Sequence, residues 1–234
     1  QGSQKVGMLA EVAALNPVIE ACFGEASEVL GYDLWELVQQ GPAESLSLTE
    51  RTQPMLLAAG VALWRVWQQH DGPLPAVLAG HSLGEFTALV CAGSLEFRDA
   101  VELVRQRGEF MQSAVPVGVG AMAAIIGLDD AAINRACVDA AQSEVVAAVN
   151  FNSPGQVVIA GHAAAVARAS ELCRQAGAKR ALPLPVSAPF HTELMRPAGE
   201  RLAAALAAIE LSAPSIPVIN NVDASVQTDP QQIK

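Results

Sequence analysis

Apolar positions along this chain of 234 residues follow two spacings, and the point where one gives way to the other divides it. Over residues 16–30 and 52–69 they recur at helical intervals. The second stretch has Thr52 as its expected N-cap, Pro54 in its first turn, and Leu56, Leu57, Val61, Leu63 and Trp67 as its apolar stripe. Asp71-Gly72-Pro73 breaks it, and a short apolar run from Ala76 follows, read as a strand. Helices are expected again over 83–92, closed by Gly93, and over 97–114. On the latter Val101, Val104, Gly108 and Met111 fall on one face, and Leu103, Arg107 and Phe110 on a neighbouring stripe.

Beyond the hinge-like Pro116-Val117-Gly118-Val119-Gly120 the period shortens. Residues 121–126 read as a strand, Asp129 or Asp130 caps a helix to about 141, and strands over 144–151 and 156–160 meet at an Asn152-Ser153-Pro154-Gly155 turn. A helix over 163–176, closed by Gly177, and a strand over 179–184 complete the order β-α-β-β-α-β. That is the ferredoxin-like arrangement, and it predicts a small domain inserted into a larger one. Pro183, Pro185 and Pro189 mark the return, a helix opens around 191–196 and runs to 209, and 216–222 reads as a strand. No strand precedes Gln1, and the chain stops a dozen residues after Val222, so further sequence is expected at both ends.

Composition narrows the class. With 51% apolar residues the chain can bury a sizeable core, yet charge, Gly or Pro interrupts every apolar stretch, so no membrane span is expected. Cys22, Cys91, Cys137 and Cys173 lie far apart without metal or disulfide spacing and read as small core residues in a reducing cytoplasm. A net charge of −10 argues against nucleic acid as a partner. An acidic protein partner would need a local basic patch, for which Arg174, Lys179 and Arg180 are one candidate and a solvated helix end the plain alternative.

The chemistry gathers at Gly80-His81-Ser82-Leu83-Gly84. A strand, a Gly-x-Ser-x-Gly turn and a helix in that order form a nucleophile elbow, in which Gly80 and Gly84 are expected to let the backbone pass close to itself. Ser82 then heads a helix whose free N–H groups favour developing negative charge. A Gly/Ser loop that merely links two elements is the alternative. Of the four histidines, His70 reads as solvated, His162 as a helix-capping residue, and His81 as too close to Ser82 along the chain to serve as its base. His191, where the chain returns from the inserted domain, is left as the candidate base or as a packing histidine at a helix start. Arg107, beside apolar surface, is open to a structural, ion-paired reading.

Six spaced motifs carry a resemblance: Gln1-Gly2-Ser3-Gln4 with Gly7-Met8, Gly80 to Glu85, Arg105-Gln106-Arg107-Gly108, Asn150 to Gln156, Pro189-Phe190-His191, and Asn220-Asn221-Val222. Together they make the chain resemble the malonyl-CoA:acyl carrier protein transacylases of bacterial fatty-acid synthesis, and more broadly the acyltransferase domains of fatty-acid and polyketide synthases. The resemblance implies an α/β fold with an α/β-hydrolase-like catalytic domain over 1–117 and 187–234 and a ferredoxin-like small domain over 118–186. It implies that Ser82 carries the acyl group as an ester, that His191 is its base, and that the Leu83 and Gln1 backbone N–H groups form the oxyanion hole. Arg107 would clamp the malonyl carboxylate, with His81 and Phe190 also against the substrate and Phe190 disfavouring a methyl group on the malonyl α-carbon. Malonyl-CoA and acyl carrier protein would be the partners of a cytoplasmic monomer. No metal or bound cofactor is implied, since coenzyme A and phosphopantetheine are handles of the substrates. Two other readings stand beside this one. An esterase or thioesterase would pass the acyl group to water and draw its acid from Asp99, Asp129, Asp130 or Asp139, and a non-catalytic segment would only dock the carrier.

Overall fold

The computed structural model describes residues 2–186 and 188–234; the oxyanion expectation at Gln1 therefore lies outside the described residues. The chain separates into two compact units, 1–109 with 202–234, and 110–201. Its elements in order are α1 (Ala10–Ala13), α2 (Val18–Leu30), α3 (Leu34–Gln40), α4 (Ala43–Leu46), α5 (Thr49–Gln69), β1 (Leu78–Ala79), α6 (Leu83–Cys91), α7 (Phe97–Ser113), β2 (Gly120–Ile126), α8 (Asp130–Ala141), β3 (Val146–Ser153), β4 (Gln156–His162), α9 (Ala163–Gln175), β5 (Arg180–Pro183), α10 (Arg196–Ala207), β6 (Val218–Ile219), β7 (Val226–Gln227) and α11 (Pro230–Ile233).

The first unit is helical around a small mixed sheet of order β1-β6-β7, with β1 parallel to β6 and β7 antiparallel to it. Its core joins Ile19 and Phe23 of α2, Leu34 and Val38 of α3, Met55, Leu57 and Ala58 of α5, and Val101, Leu103 and Val104 of α7. The rings of Phe23 and Trp35 tilt together with centroids 5.0 Å apart. Helix α5 starts three residues before the expected cap, because Thr52 lies inside the helix and its buried hydroxyl turns back to the Leu46 carbonyl at 2.5 Å. The expected stripe on α5 is also corrected: Leu63 and Trp67 are exposed, and Thr52, Gln53, Ala58, Ala59 and Ala62 are buried in their place. Small side chains on that face let neighbouring helices come close. At Gly108 of α7 a Cβ would stand 2.5 Å from the Glu50 Cα of α5, so only glycine permits this approach.

The second unit carries a four-stranded antiparallel sheet of order β3-β4-β2-β5. Alternation along the strands gives the sheet two apolar faces. Ile125, Val157 and Ile159 pack with Ile133 of α8 and Val166 and Ala169 of α9. Met122, Val158 and Ala160 face the other way, against Met111, Ala188, Phe190 and Ala198. Those last residues bring segments on either side of the expected 118–186 into the unit, which spans 110–201. Asp129 caps α8 by accepting the Ala132 N–H at 2.9 Å. His162 occupies the N-cap position of α9 but makes no side-chain cap; its Nδ1 accepts from the Val145 N–H at 3.0 Å instead.

Candidate active site

Parallel pairing of Leu78 with Val218 and Ala79 with Ile219 delivers the chain to the elbow. The turn closes with the Gly84 N–H on the His81 carbonyl (2.9 Å) and the Glu85 N–H on the Ser82 carbonyl (3.3 Å). Ser82 sits at φ 54°, ψ −108°, a region disfavoured for residues with a Cβ, at a cost on the order of 1–3 kcal/mol. Gly80 makes this possible, since a Cβ there would lie 1.9 Å from the Gly84 carbonyl carbon. The expectation for Gly84 is corrected: a Cβ there meets open space, because the crowding is all on the Gly80 side. Leu83 is the first residue of α6, where N–H groups have no acceptor within their own helix.

Arg107 on α7 reaches this turn. Its Nη2 donates to Ser82 Oγ at 2.9 Å and its Nη1 to Gln53 Oε1 at 2.7 Å, while the guanidinium lies 5.6 Å from the Phe86 ring centroid. Among the described residues no carboxylate forms an ion pair with Arg107. Burial lowers its pKa to about 10, against a weaker opposing pull from the Glu85 charge. A desolvated cation held by two neutral oxygens is a site that gains from an incoming anion.

Two further contacts complete the turn. Asn221, beyond β6, accepts the Ser82 N–H on its Oδ1 at 2.6 Å, and its own N–H donates to Glu85 Oε2 at 3.1 Å. Burial raises the Glu85 carboxyl above its ordinary value, opposed by the Asn221 N–H and the Arg107 charge. Ser82, Leu83 and Arg107 are thus brought together in one unit, and His81 beside them is exposed. Phe190 and His191 belong to the other unit. Phe190 is buried there against Met111 and Met122, and His191 follows it exposed at φ 65°, with the Thr192 hydroxyl closing the turn on the Pro189 carbonyl at 2.8 Å.

Sequence reasoning did not single out Gln53, Glu85 or Asn221 as contacts. A polar side chain on the buried face of α5 was the available signal for Gln53. The other two depend on the loop after β6, whose pairing is long-range. Among the described residues no cluster of His, Cys, Asp or Glu suits a metal ion, and no helix is long and apolar enough to cross a membrane.

The model of the acyl transferase domain matches residues 1–233. The malonyl CoA-acyl carrier protein transacylase of Salmonella typhimurium is 64% identical over 234 residues, which is the whole of this chain and 76% of that protein. The acyl carrier protein S-malonyltransferase of Vibrio cholerae superimposes with a TM-score of 0.96 at 65% identity, over 100% of this chain and 76% of its own. A malonyl-transacylase solved in complex with its type II PKS acyl-carrier protein gives a TM-score of 0.98 at 58% identity, over 100% and 75%. A match that runs from the first residue to the last but one, and across the whole of the elbow, places this chain in the acyl transferase domain family.

Proposed function

We propose that this chain is an S-malonyltransferase: it moves a malonyl group from malonyl-CoA to the phosphopantetheine thiol of acyl carrier protein, supplying fatty-acid synthesis. The names and complex of its relatives support that reaction. The observation that carries the residue assignment is Arg107, a half-buried cation that forms no ion pair among the described residues and lies 2.9 Å from the hydroxyl of a strained elbow serine. The strand–elbow–helix segment with parallel β1 and β6 supports an α/β-hydrolase-like reading of the first unit. The strand order β3-β4-β2-β5 supports a ferredoxin-like reading of the second.

In this mechanism His191 takes the Ser82 proton as Oγ attacks the thioester carbonyl, and the oxyanion is held by the Leu83 and Gln1 N–H groups. Collapse expels coenzyme A, whose thiolate takes the proton back from His191, and leaves malonyl-Ser82. The carrier thiol, deprotonated by His191, then attacks the ester and returns the hydroxyl to Ser82. Arg107 pairs with the free malonyl carboxylate through two parallel donors, which an acetyl group cannot match. His81 and Phe190 border the acyl group, and Phe190 disfavours an α-methyl branch.

Intact-protein mass after brief mixing with malonyl-CoA or acetyl-CoA tests this, with Ser82→Ala as control. A malonyl adduct that requires Ser82, persists once coenzyme A is removed and passes to carrier protein is the expected result. An adduct lost to water without carrier would establish a thioesterase instead, and the absence of any adduct would overturn the assignment of Ser82.

A further inference from the structure

The side chain of Asn221, outside the elbow, meets the Ser82 backbone, and nothing in the mechanism above uses it. We propose that Asn221, braced by Glu85, is a positioning residue that sets the Ser82 backbone and so aims the nucleophile. The inference rests on Ser82 being the acylated residue. Its observations are the bonds already described: Asn221 Oδ1 on the Ser82 N–H, and the Asn221 N–H on Glu85, three residues beyond Ser82.

As the residue that heads α6, Ser82 has an N–H with no acceptor inside that helix, so it needs one from elsewhere in the fold. Asn221 supplies it. A backbone N–H can only donate, so the amide of Asn221 is fixed with oxygen toward Ser82. Register makes the meeting reproducible. Ala79 and Ile219 are paired in parallel strands, and Ser82 and Asn221 follow three and two residues later. Asn220 shapes the loop, its Oδ1 accepting the N–H groups of Val222 (3.1 Å) and Asp223 (3.0 Å), while its own N–H meets the Ser225 carbonyl at 2.9 Å. Glu85 then ties Asn221 to the first turn of α6, the same turn whose N-terminus faces the reacting carbonyl in the proposed reaction.

The contact also divides labour among the elbow donors. With the Ser82 N–H taken by Asn221, the N–H of Leu83 is the elbow donor left for an oxyanion. Loss of Asn221 Oδ1 releases the Ser82 N–H and relaxes φ, which turns Oγ from its line of attack. That change slows acylation whatever the acyl group, because Arg107 stays anchored by Gln53 whichever way Oγ turns.

The test is single-turnover acylation followed by intact mass, with malonyl-CoA and acetyl-CoA, on wild type, Asn221→Ala, Asn221→Asp and Glu85→Ala, alongside thermal melting of each. Asn221→Ala is expected to slow acylation at saturating malonyl-CoA by about tenfold or more, with the half-saturating concentration within about twofold and acetyl-CoA slowed in the same proportion. Asn221→Asp, which keeps an acceptor at the same reach, restores the rate to within about threefold. A wild-type rate in Asn221→Ala, equal losses in Ala and Asp, or a loss that vanishes on cooling well below the melting temperature overturns the inference. Should Asn221→Ala fail to fold, Glu85→Ala decides: a rate about threefold lower for both acyl groups supports the brace, and an unchanged rate overturns it. Wild type without any Ser82 adduct would sink the transferase reading itself, whereas a wild-type adduct with an indifferent Asn221→Ala sinks this inference alone.

Discussion

Gln53 has no adequate substitute for what it does in this fold. It is fully buried, and its amide oxygen takes one arm of Arg107 without cancelling the charge of the other. A carboxylate of the same length would take the cation for itself. Gln53→Glu is therefore expected to lower the preference for malonyl-CoA over acetyl-CoA by about tenfold or more, read from parallel initial acylation rates, since the internal ion pair competes with the substrate carboxylate. An unchanged preference would show that Arg107 does not select the acyl group. At this scale the sequence was informative wherever a residue acts through its neighbours in the chain. Ser82 was legible from two glycines and a helix. Arg107 could be placed beside apolar surface but not beside Ser82, because the meeting depends on how α7 crosses α5. Asn221 was visible only as part of a motif, with no local pattern to say what it touches.

Helix crossings are where glycine decides the outcome. A Cβ at position 108 would press into the backbone at Glu50 rather than into a flexible side chain, so α7 would have to shift away from α5. Gly108→Ala is expected to cost about 1–3 kcal/mol, seen as a lower melting temperature, and to raise the KM for malonyl-CoA as Arg107 moves with its helix. Gly80→Ala, with only 1.9 Å to the Gly84 carbonyl carbon, should disturb the elbow at least as much. Gly84→Ala faces open space inside a helix and is expected to melt at or above the wild-type temperature. Equal destabilisation at 80 and 84 would contradict this account of the turn. The long, regular elements were readable, among them β2, α8, α9 and α6 with its Gly93 at positive φ. Strands of two residues such as β6 and β7 carry no period to read. The start of α5 was misplaced because Thr52 looks like a cap in sequence, while its hydroxyl instead bonds back along the chain.

For the whole molecule the clearest solution signature is alkaline. Burial pushes the thiols of Cys22 and Cys137 up to about 12 and that of Cys91 up to about 11, from 9.0. Above about pH 9 the unfolded chain releases these protons and the folded chain keeps them, so stability falls as pH rises. Arg107 acts in the opposite sense, but only from about 10 upward, where the folded state sheds a proton that the unfolded state holds to 12.5. The melting temperature is therefore expected to drop between about pH 8 and pH 9.5, and native thiols to alkylate far more slowly than thiols in denaturant at about pH 8. A flat profile over that interval would mean that these thiols are not desolvated. The bond from Arg107 to Ser82 Oγ reaches further still. In the proposed reaction the guanidinium that holds the resting hydroxyl is also the one that pairs with the malonyl carboxylate, so a charged acyl group would exchange that bond for its own as it docks.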